Sequence, residues 1–111
     1  MELASLIADG RVAMIGAIRQ ELLSGIKEHA HFERVRDHLR AFSDIEITSD
    51  DYEGAASFYN SCRAKGIQGS NTDFLICAIA ARNEFSIFTT DADFTHFARV
   101  LPIELHNSSH A

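Results

Sequence analysis

Residues 71–93, NTDFLICAIAARNEFSIFTTDAD, predict a buried helix, a short strand and a pair of acids in direct succession. Ser70-Asn71-Thr72 predicts a helix cap, and the unbroken apolar run from Phe74 to Ala81 that follows is typical of a helix that is buried on all sides. Phe85 to Phe88 is a short β-prone run, and it leads directly into Thr89-Thr90-Asp91-Ala92-Asp93. Acids that follow a buried strand lie at the carboxyl edge of a sheet, where open α/β folds place their ligands.

Short strands and longer helices alternate along the rest of the chain. The pattern of Glu2–Ala8 predicts the end of a helix, and Asp9-Gly10 is a turn signal. Further strands are predicted at Val12–Ile15, Ile45–Ile47 and Ile103–Leu105, and further helices from Ile18 onward, at Ala30–Phe42, after a Thr48 cap and at Phe94–Val100. We therefore expect one α/β domain over residues 1–111, with a parallel sheet that helices cover on both faces.

The composition is that of an ordinary globular domain, with 46% hydrophobic and 23% charged residues. No apolar run approaches the roughly 20 residues of a membrane-spanning helix, and the first residues lack the pattern of a leader peptide, so we expect a cytoplasmic protein. Cys62 and Cys77 are then expected to be buried, reduced thiols. The net charge of −6 argues against nucleic-acid binding through an overall positive field, but it allows an acidic site that meets phosphates through a bound cation.

Four acids form the candidate site: Glu21, Asp73, Asp91 and Asp93. Each has a structural explanation when taken alone. Asp73 suits the first turn of a helix, Asp91 and Asp93 suit a turn, and Glu21 suits a solvated helix position. Taken together, they follow strands or begin helices at what we expect to be one edge of one sheet.

Convergence of these acids would require a cation. Two unit charges 4 Å apart repel by about 4 kcal/mol at an effective dielectric near 20, so several carboxylates do not stay ionised together without one. Oxygen ligands of this kind suit Mg²⁺ or Mn²⁺. A bound ion of this type favours phosphodiester hydrolysis, because it activates water and neutralises the leaving oxygen.

Three segments resemble the PIN-domain family, and within it the VapC-type toxins of bacterial toxin–antitoxin pairs. Residues 18–25, IRQELLSG, resemble the family's E-L-x-x-G helix, and residues 73–80, DFLICAIA, resemble its D-x-x-I-A-A-x-A helix. Residues 88–94, FTTDADF, resemble its T-x-D-x-D-F segment. The three occur in the family's order, and together they extend over nearly the whole chain.

The resemblance implies a PIN-like, Rossmann-like parallel sheet and cleavage of single-stranded RNA with Mg²⁺ or Mn²⁺. Glu21, Asp73 and Asp91 are the matched catalytic and metal-binding acids, Asp93 is an additional metal ligand, and Asn71 and Thr89 are polar supports. A homodimer and a cognate antitoxin that covers the site are implied as partners. PIN domains begin with a strand that ends in an aspartate, and this sequence has no counterpart before Glu2, so an N-terminally truncated domain is expected.

Three functions are consistent with these observations. The first is a divalent-metal-dependent endoribonuclease, the toxin of a type II pair. The second is a truncated, inactive PIN-like module that binds an antitoxin or dimerises without cleaving. The third is a metal-dependent phosphotransfer enzyme that acts on small molecules, although this sequence contains no phosphate-binding loop to support that function. For an RNA substrate, Arg19, Lys65 and Arg82 are candidate phosphate contacts because they are the basic residues nearest the acids in sequence, although a solvated surface position explains each of them more simply.

Overall fold

The computed structural model describes residues 4–8 and 11–106 as alternating strands and helices. The elements are β1 (Ser5–Ala8), β2 (Arg11–Ala13), α1 (Gly16–Leu23), α2 (His29–Leu39), α3 (Ser49–Ala64), α4 (Asn71–Asn83), β3 (Ser86–Phe88), α5 (Asp93–Ala98) and β4 (Glu104–Leu105). The α/β class predicted from the sequence is confirmed. None of the helices in these two ranges is both long and apolar enough to span a bilayer.

The four strands form one mixed sheet in the order β2-β1-β3-β4. β1 is antiparallel to both β2 and β3, whereas β3 and β4 are parallel. The prediction of a wholly parallel sheet is therefore wrong. Because only two residues separate β1 from β2 in the sequence, the two strands can pair only as an antiparallel hairpin. β2 and β3 consequently run in the same direction on either side of β1.

The predicted helix end at Glu2–Ala8 is wrong where it can be checked, because Ser5–Ala8 is a central strand. Leu6 is fully buried between its partners Ala13 and Ile87, so burial in the sheet outweighs the helix-like spacing of its apolar residues. Glu2, Leu3 and the predicted Asp9-Gly10 turn lie outside the described residues.

The predicted strand at Ile45–Ile47 is also not formed. An isolated parallel bridge joins Met14 to Asp44, and the Ile45 N–H donates to the Met14 carbonyl at 2.8 Å. Beyond that bridge the backbone does not extend the sheet. Ile45 and Ile47 are half-buried because their side chains pack against the core.

The core is centred on α4, as its apolar run predicts. Six of its residues are buried, namely Phe74, Ile76, Cys77, Ala78, Ile79 and Ala80. The helix packs against α3 and against β3. Cys62 of α3 and Cys77 are both buried and unbridged, as expected, and burial raises the pKa of each thiol.

Gly69, in the loop between α3 and α4, lies against two aromatic rings. A Cβ at this position would be 2.6 Å from Phe97 Cζ and 3.0 Å from Phe74 Cε2. Both rings are fully buried and lie 4.9 Å apart between centroids. They have no room to retreat, so this loop needs glycine for space.

We expect Gly69→Ala to lower the free energy of unfolding by about 1–3 kcal/mol, the usual cost of overpacking a core. Urea denaturation measures the change. Gly16→Ala is the matched control, because its new Cβ would have 3.8 Å to the nearest atom, Asp44 Oδ2. Equal stability of Gly69→Ala and the wild type would contradict this packing.

Candidate active site

Asp91 and Asp93 lie directly after β3, where the chain turns into α5. The Asp91 N–H donates to Thr89 Oγ1 at 3.0 Å, and Asp91 Oδ1 accepts the Asp93 N–H at 2.9 Å. Asp91 is half-buried and Asp93 is exposed. The turn thus fixes the Asp91 carboxylate through one oxygen, and Thr89 supports the Asp91 backbone.

Asp73 begins α4 as part of a capping box with Ser70. The Asp73 N–H donates to Ser70 Oγ at 3.0 Å, and Asp73 Oδ2 accepts the Ser70 N–H at 3.2 Å. The sequence predicted this cap from Ser70-Asn71-Thr72. Asp73 is half-buried and one of its carboxylate oxygens satisfies the helix start, so a further ligand would meet the other oxygen, Oδ1.

Glu21 and Asn71 occupy helix positions on other parts of the same fold. Glu21 is half-buried in α1, three residues after the buried Ile18. Asn71 is the exposed first residue of α4, and it lines a recess of about 400 Å³ between α3 and α4. That recess includes Tyr52 and Leu75, so the surroundings of Asn71 are largely apolar.

The mixed sheet still brings to one edge the carboxyl ends of the two strands that precede Glu21 and Asp91. β2, which precedes the Glu21 helix, and β3, which precedes Asp91, run in the same direction because each is antiparallel to β1. Their carboxyl ends therefore lie on one edge, about two strand spacings or roughly 10 Å apart. The beginning of β1 lies between them, since Ser5 pairs with Phe88 at the end of β3.

Comparison with known proteins identifies the family. The family model described as PIN domain matches residues 1–100. The chain belongs to the PIN-domain family. It is 33% identical over 98 residues to VapC ribonuclease Mb1587 of Mycobacterium bovis and to Ribonuclease VapC11 of Mycobacterium tuberculosis. Each alignment includes 85% of this chain and 72% of the relative. The resemblance drawn from the three sequence segments is confirmed.

The structure of this PIN domain does not gather the predicted acids into one cluster. Among residues 4–8 and 11–106, no group of three or more His, Cys, Asp and Glu side chains is placed to hold a metal ion. The carboxylate donors suit Mg²⁺ chemically, and that ion commonly takes one or two carboxylates with water and phosphate oxygens completing its shell. The donors therefore fit a minimal Mg²⁺ site, whereas the described residues do not form a cage of several acids.

Two of the three candidate phosphate contacts are engaged within the PIN domain. The Arg19 guanidinium donates to Asp44 Oδ1 at 2.6 Å and to the Phe42 carbonyl at 2.8 Å. Arg82 is bound to Asp51. Each of these two arginines is thus bound by a carboxylate from a distant segment, and a contact of either one with RNA stays a prediction. Lys65 is exposed and forms no ion pair in the described ranges, so its role stays a prediction.

Asp51 is a key structural residue that the sequence did not single out. It is 1% exposed, and it accepts hydrogen bonds from Arg82 Nε at 2.5 Å, from Arg82 Nη2 at 2.8 Å and from the Thr48 N–H at 2.9 Å. The bonds to Arg82 hold the pKa of Asp51 below its ordinary value, although burial opposes that shift. The Thr48-x-x-Asp51 pattern predicts the cap, but nothing in the sequence indicates a partner 31 residues away.

Proposed function

We propose that this PIN domain is a divalent-metal-dependent endoribonuclease, the toxin of a type II toxin–antitoxin pair, which cleaves single-stranded RNA. The supporting observation is Asp91, a half-buried carboxylate at the carboxyl end of β3, in a chain whose relatives are named VapC ribonucleases. Asp73, Glu21 and Asp93 are proposed to act with it. The proposed ion is Mg²⁺ or Mn²⁺, and the proposed partners are a cognate antitoxin and a second copy of the chain.

A bound Mg²⁺ or Mn²⁺ would supply an activated water and neutralise charge at the phosphodiester. The contribution of the chain is to position the carboxylates. The Asp91 turn and the Asp73 capping box each hold one carboxylate oxygen on the backbone, so both groups are oriented before RNA arrives. This preorganisation favours the reaction because the acids lose little freedom when substrate binds.

The proposal predicts EDTA-sensitive cleavage of single-stranded RNA by the purified chain. An RNA substrate with 2′-O-methyl groups distinguishes this cleavage from that of a contaminating metal-independent nuclease. Attack by water does not need the ribose 2′-OH, so an RNA with 2′-O-methyl groups should still be cut where its bases are accepted. Attack by the 2′-OH would instead be blocked by that modification and unaffected by EDTA. Cleavage that 2′-O-methyl groups block and that EDTA does not affect would contradict the proposal. The absence of cleavage by a folded preparation would contradict it as well.

A second candidate function is an inactive PIN-like module that binds an antitoxin or dimerises. It is favoured by one observation, namely that residues 4–8 and 11–106 contain no group of three or more metal-binding side chains. This candidate predicts a folded chain that does not cleave RNA at any Mg²⁺ or Mn²⁺ concentration. Metal-dependent cleavage that requires Asp91 would overturn it.

A further inference from the structure

The loop at residues 66–69 separates two neighbouring recesses on the surface. One recess, of about 150 Å³, is lined by the α3 residues Tyr59 and Arg63 together with Ile67, Gln68 and Gly69. The other, of about 510 Å³, is lined by Asp93 and His96 of α5 and by the same Ile67 and Gln68. A ligand that extends across Gln68 would therefore contact Arg63 on one side and the segment that carries Asp91 and Asp93 on the other.

Arg63 is available to a ligand, unlike most arginines of this chain. Of the ten Lys and Arg residues, five form ion pairs in the described ranges: Arg19, Arg34, Arg36, Arg40 and Arg82. Arg63 is exposed and forms none there. In a chain with a net charge of −6, an unpaired cation beside the candidate site is the feature that an anionic strand would require.

Tyr59 fixes the position of this guanidinium. Arg63 Nη1 donates to the Tyr59 hydroxyl at 2.9 Å, and the guanidinium carbon lies 5.9 Å from the centroid of the ring. The ring is itself held by an edge contact with the buried Phe74, at 5.6 Å between centroids. One nitrogen of Arg63 is thus used for orientation, while Nε and Nη2 can still donate to a ligand. A fork of two donors matches two phosphate oxygens.

We propose that Arg63, oriented by Tyr59, binds a backbone phosphate of the single-stranded RNA next to the phosphate that is cleaved. This inference rests on the proposed function, and it identifies how a chain of negative net charge holds the strand across the loop at residues 66–69. Arg63 is the phosphate-binding residue and Tyr59 is a positioning residue. The helix dipole alone favours a cation at the C-terminal end of α3. The dipole does not explain why the Arg63 guanidinium is held by the Tyr59 hydroxyl.

Fluorescence anisotropy with a randomised single-stranded RNA pool in EDTA tests the inference, because binding is then measured without cleavage. We expect Arg63→Gln to raise the Kd about tenfold, the loss of one charge-assisted contact. The slope of log Kd against log salt should fall by about 0.7, the value for one phosphate contact with a single strand. Arg63→Lys should restore the slope with only part of the affinity, since it keeps the charge without the fork.

Tyr59→Phe separates orientation from charge. It keeps the ring and its Phe74 contact but removes the hydroxyl, so the Kd should rise about threefold, the loss of one weak hydrogen bond, with an unchanged salt slope. Lys27→Gln is the matched control for charge, because it removes an exposed cation that forms no ion pair in the described ranges from the α1–α2 connection, and it should leave Kd near the wild-type value. Thermal midpoints of all variants are measured in parallel.

The possible outcomes separate the inference from the proposed function. If the wild type binds and cleaves RNA but Arg63→Gln and Lys27→Gln bind equally well, the inference is wrong and the function stands. If Tyr59→Phe binds like the wild type, the positioning role is wrong. If the wild type neither binds nor cleaves single-stranded RNA, both proposals are overturned.

Discussion

Asp51→Asn should lower the free energy of unfolding by about 2–3 kcal/mol, the value of a hydrogen-bonded contact between charged groups. The carboxylate is almost completely buried and accepts two bonds from Arg82. These bonds connect the beginning of α3 to the end of α4, the two helices that enclose much of the core. An amide in this position can still accept from the Thr48 N–H, so the cap survives while the ion pair is lost.

Glu53→Gln is the matched control, because it removes the same charge from a nearby, exposed position of α3. Surface changes of this kind usually alter stability by no more than about 0.5 kcal/mol. Urea denaturation of the two variants and the wild type gives the comparison. Equal loss in both variants, or no loss in Asp51→Asn, would contradict the structural role of the buried pair.

The pH dependence of stability gives an independent measure of the same pair. Since the pKa of Asp51 is lowered in the folded protein, its contribution is fully present above the unfolded pKa, near 4. It is lost as the pH falls through the lower folded value. The wild type should therefore lose stability on acidification below about pH 4 more steeply than Asp51→Asn. Identical acid profiles would show that the carboxylate is not stabilised by folding.

Much of the helical framework was predictable because its signals are local. The apolar run of α4 and the caps at Thr48 and Ser70 each lie within a few consecutive residues, and all are formed. Strand direction was not predictable, because Ser5–Ala8 is only four residues long and its pairing with β3 depends on residues about 80 positions away in sequence. The Asp51–Arg82 pair was not predictable for the same reason, because its two residues are 31 positions apart in the sequence.

The candidate site was predictable only as a set of positions. The β-prone run at residues 85–88 correctly indicated that Asp91 follows a strand, and the sheet sends β2 and β3 to a common edge. Whether the acids on these elements meet depends on side-chain orientation, which spacing along the sequence does not determine. The roles of Glu21, Asp73, Asp91 and Asp93 are therefore predictions, and substitution of the acids tests them.

Neutralising either of the two best-supported acids should have the largest effect on activity. Asp73→Asn and Asp91→Asn are each expected to slow RNA cleavage by about 100-fold or more, because losing a metal ligand should cost at least as much as losing an outer-shell partner, about 10- to 100-fold. Both variants should keep their stability, since an amide oxygen can replace Asp73 Oδ2 in accepting the Ser70 N–H and Asp91 Oδ1 in accepting the Asp93 N–H. Loss of activity would then report on chemistry and not on folding.

Single-turnover cleavage at saturating protein measures these rates. Glu53→Gln is the matched control, because it removes one exposed acid of α3 that lies outside the candidate site, and it should cleave at the wild-type rate. Asp93→Asn should have a smaller effect than Asp91→Asn, because Asp93 is the more exposed of the two. Wild-type rates for both Asp73→Asn and Asp91→Asn would remove these acids from the site.

A metal-titrated cleavage assay decides whether this PIN domain is an active nuclease. The purified wild type is stripped with EDTA and then titrated with Mg²⁺ or Mn²⁺ in the presence of single-stranded RNA, beside an Asp73→Asn, Asp91→Asn double variant. We predict that cleavage by the wild type is absent in EDTA and returns with added metal, while the double variant stays inactive throughout. Cleavage that persists in EDTA, or that the double variant performs equally well, would contradict the assignment.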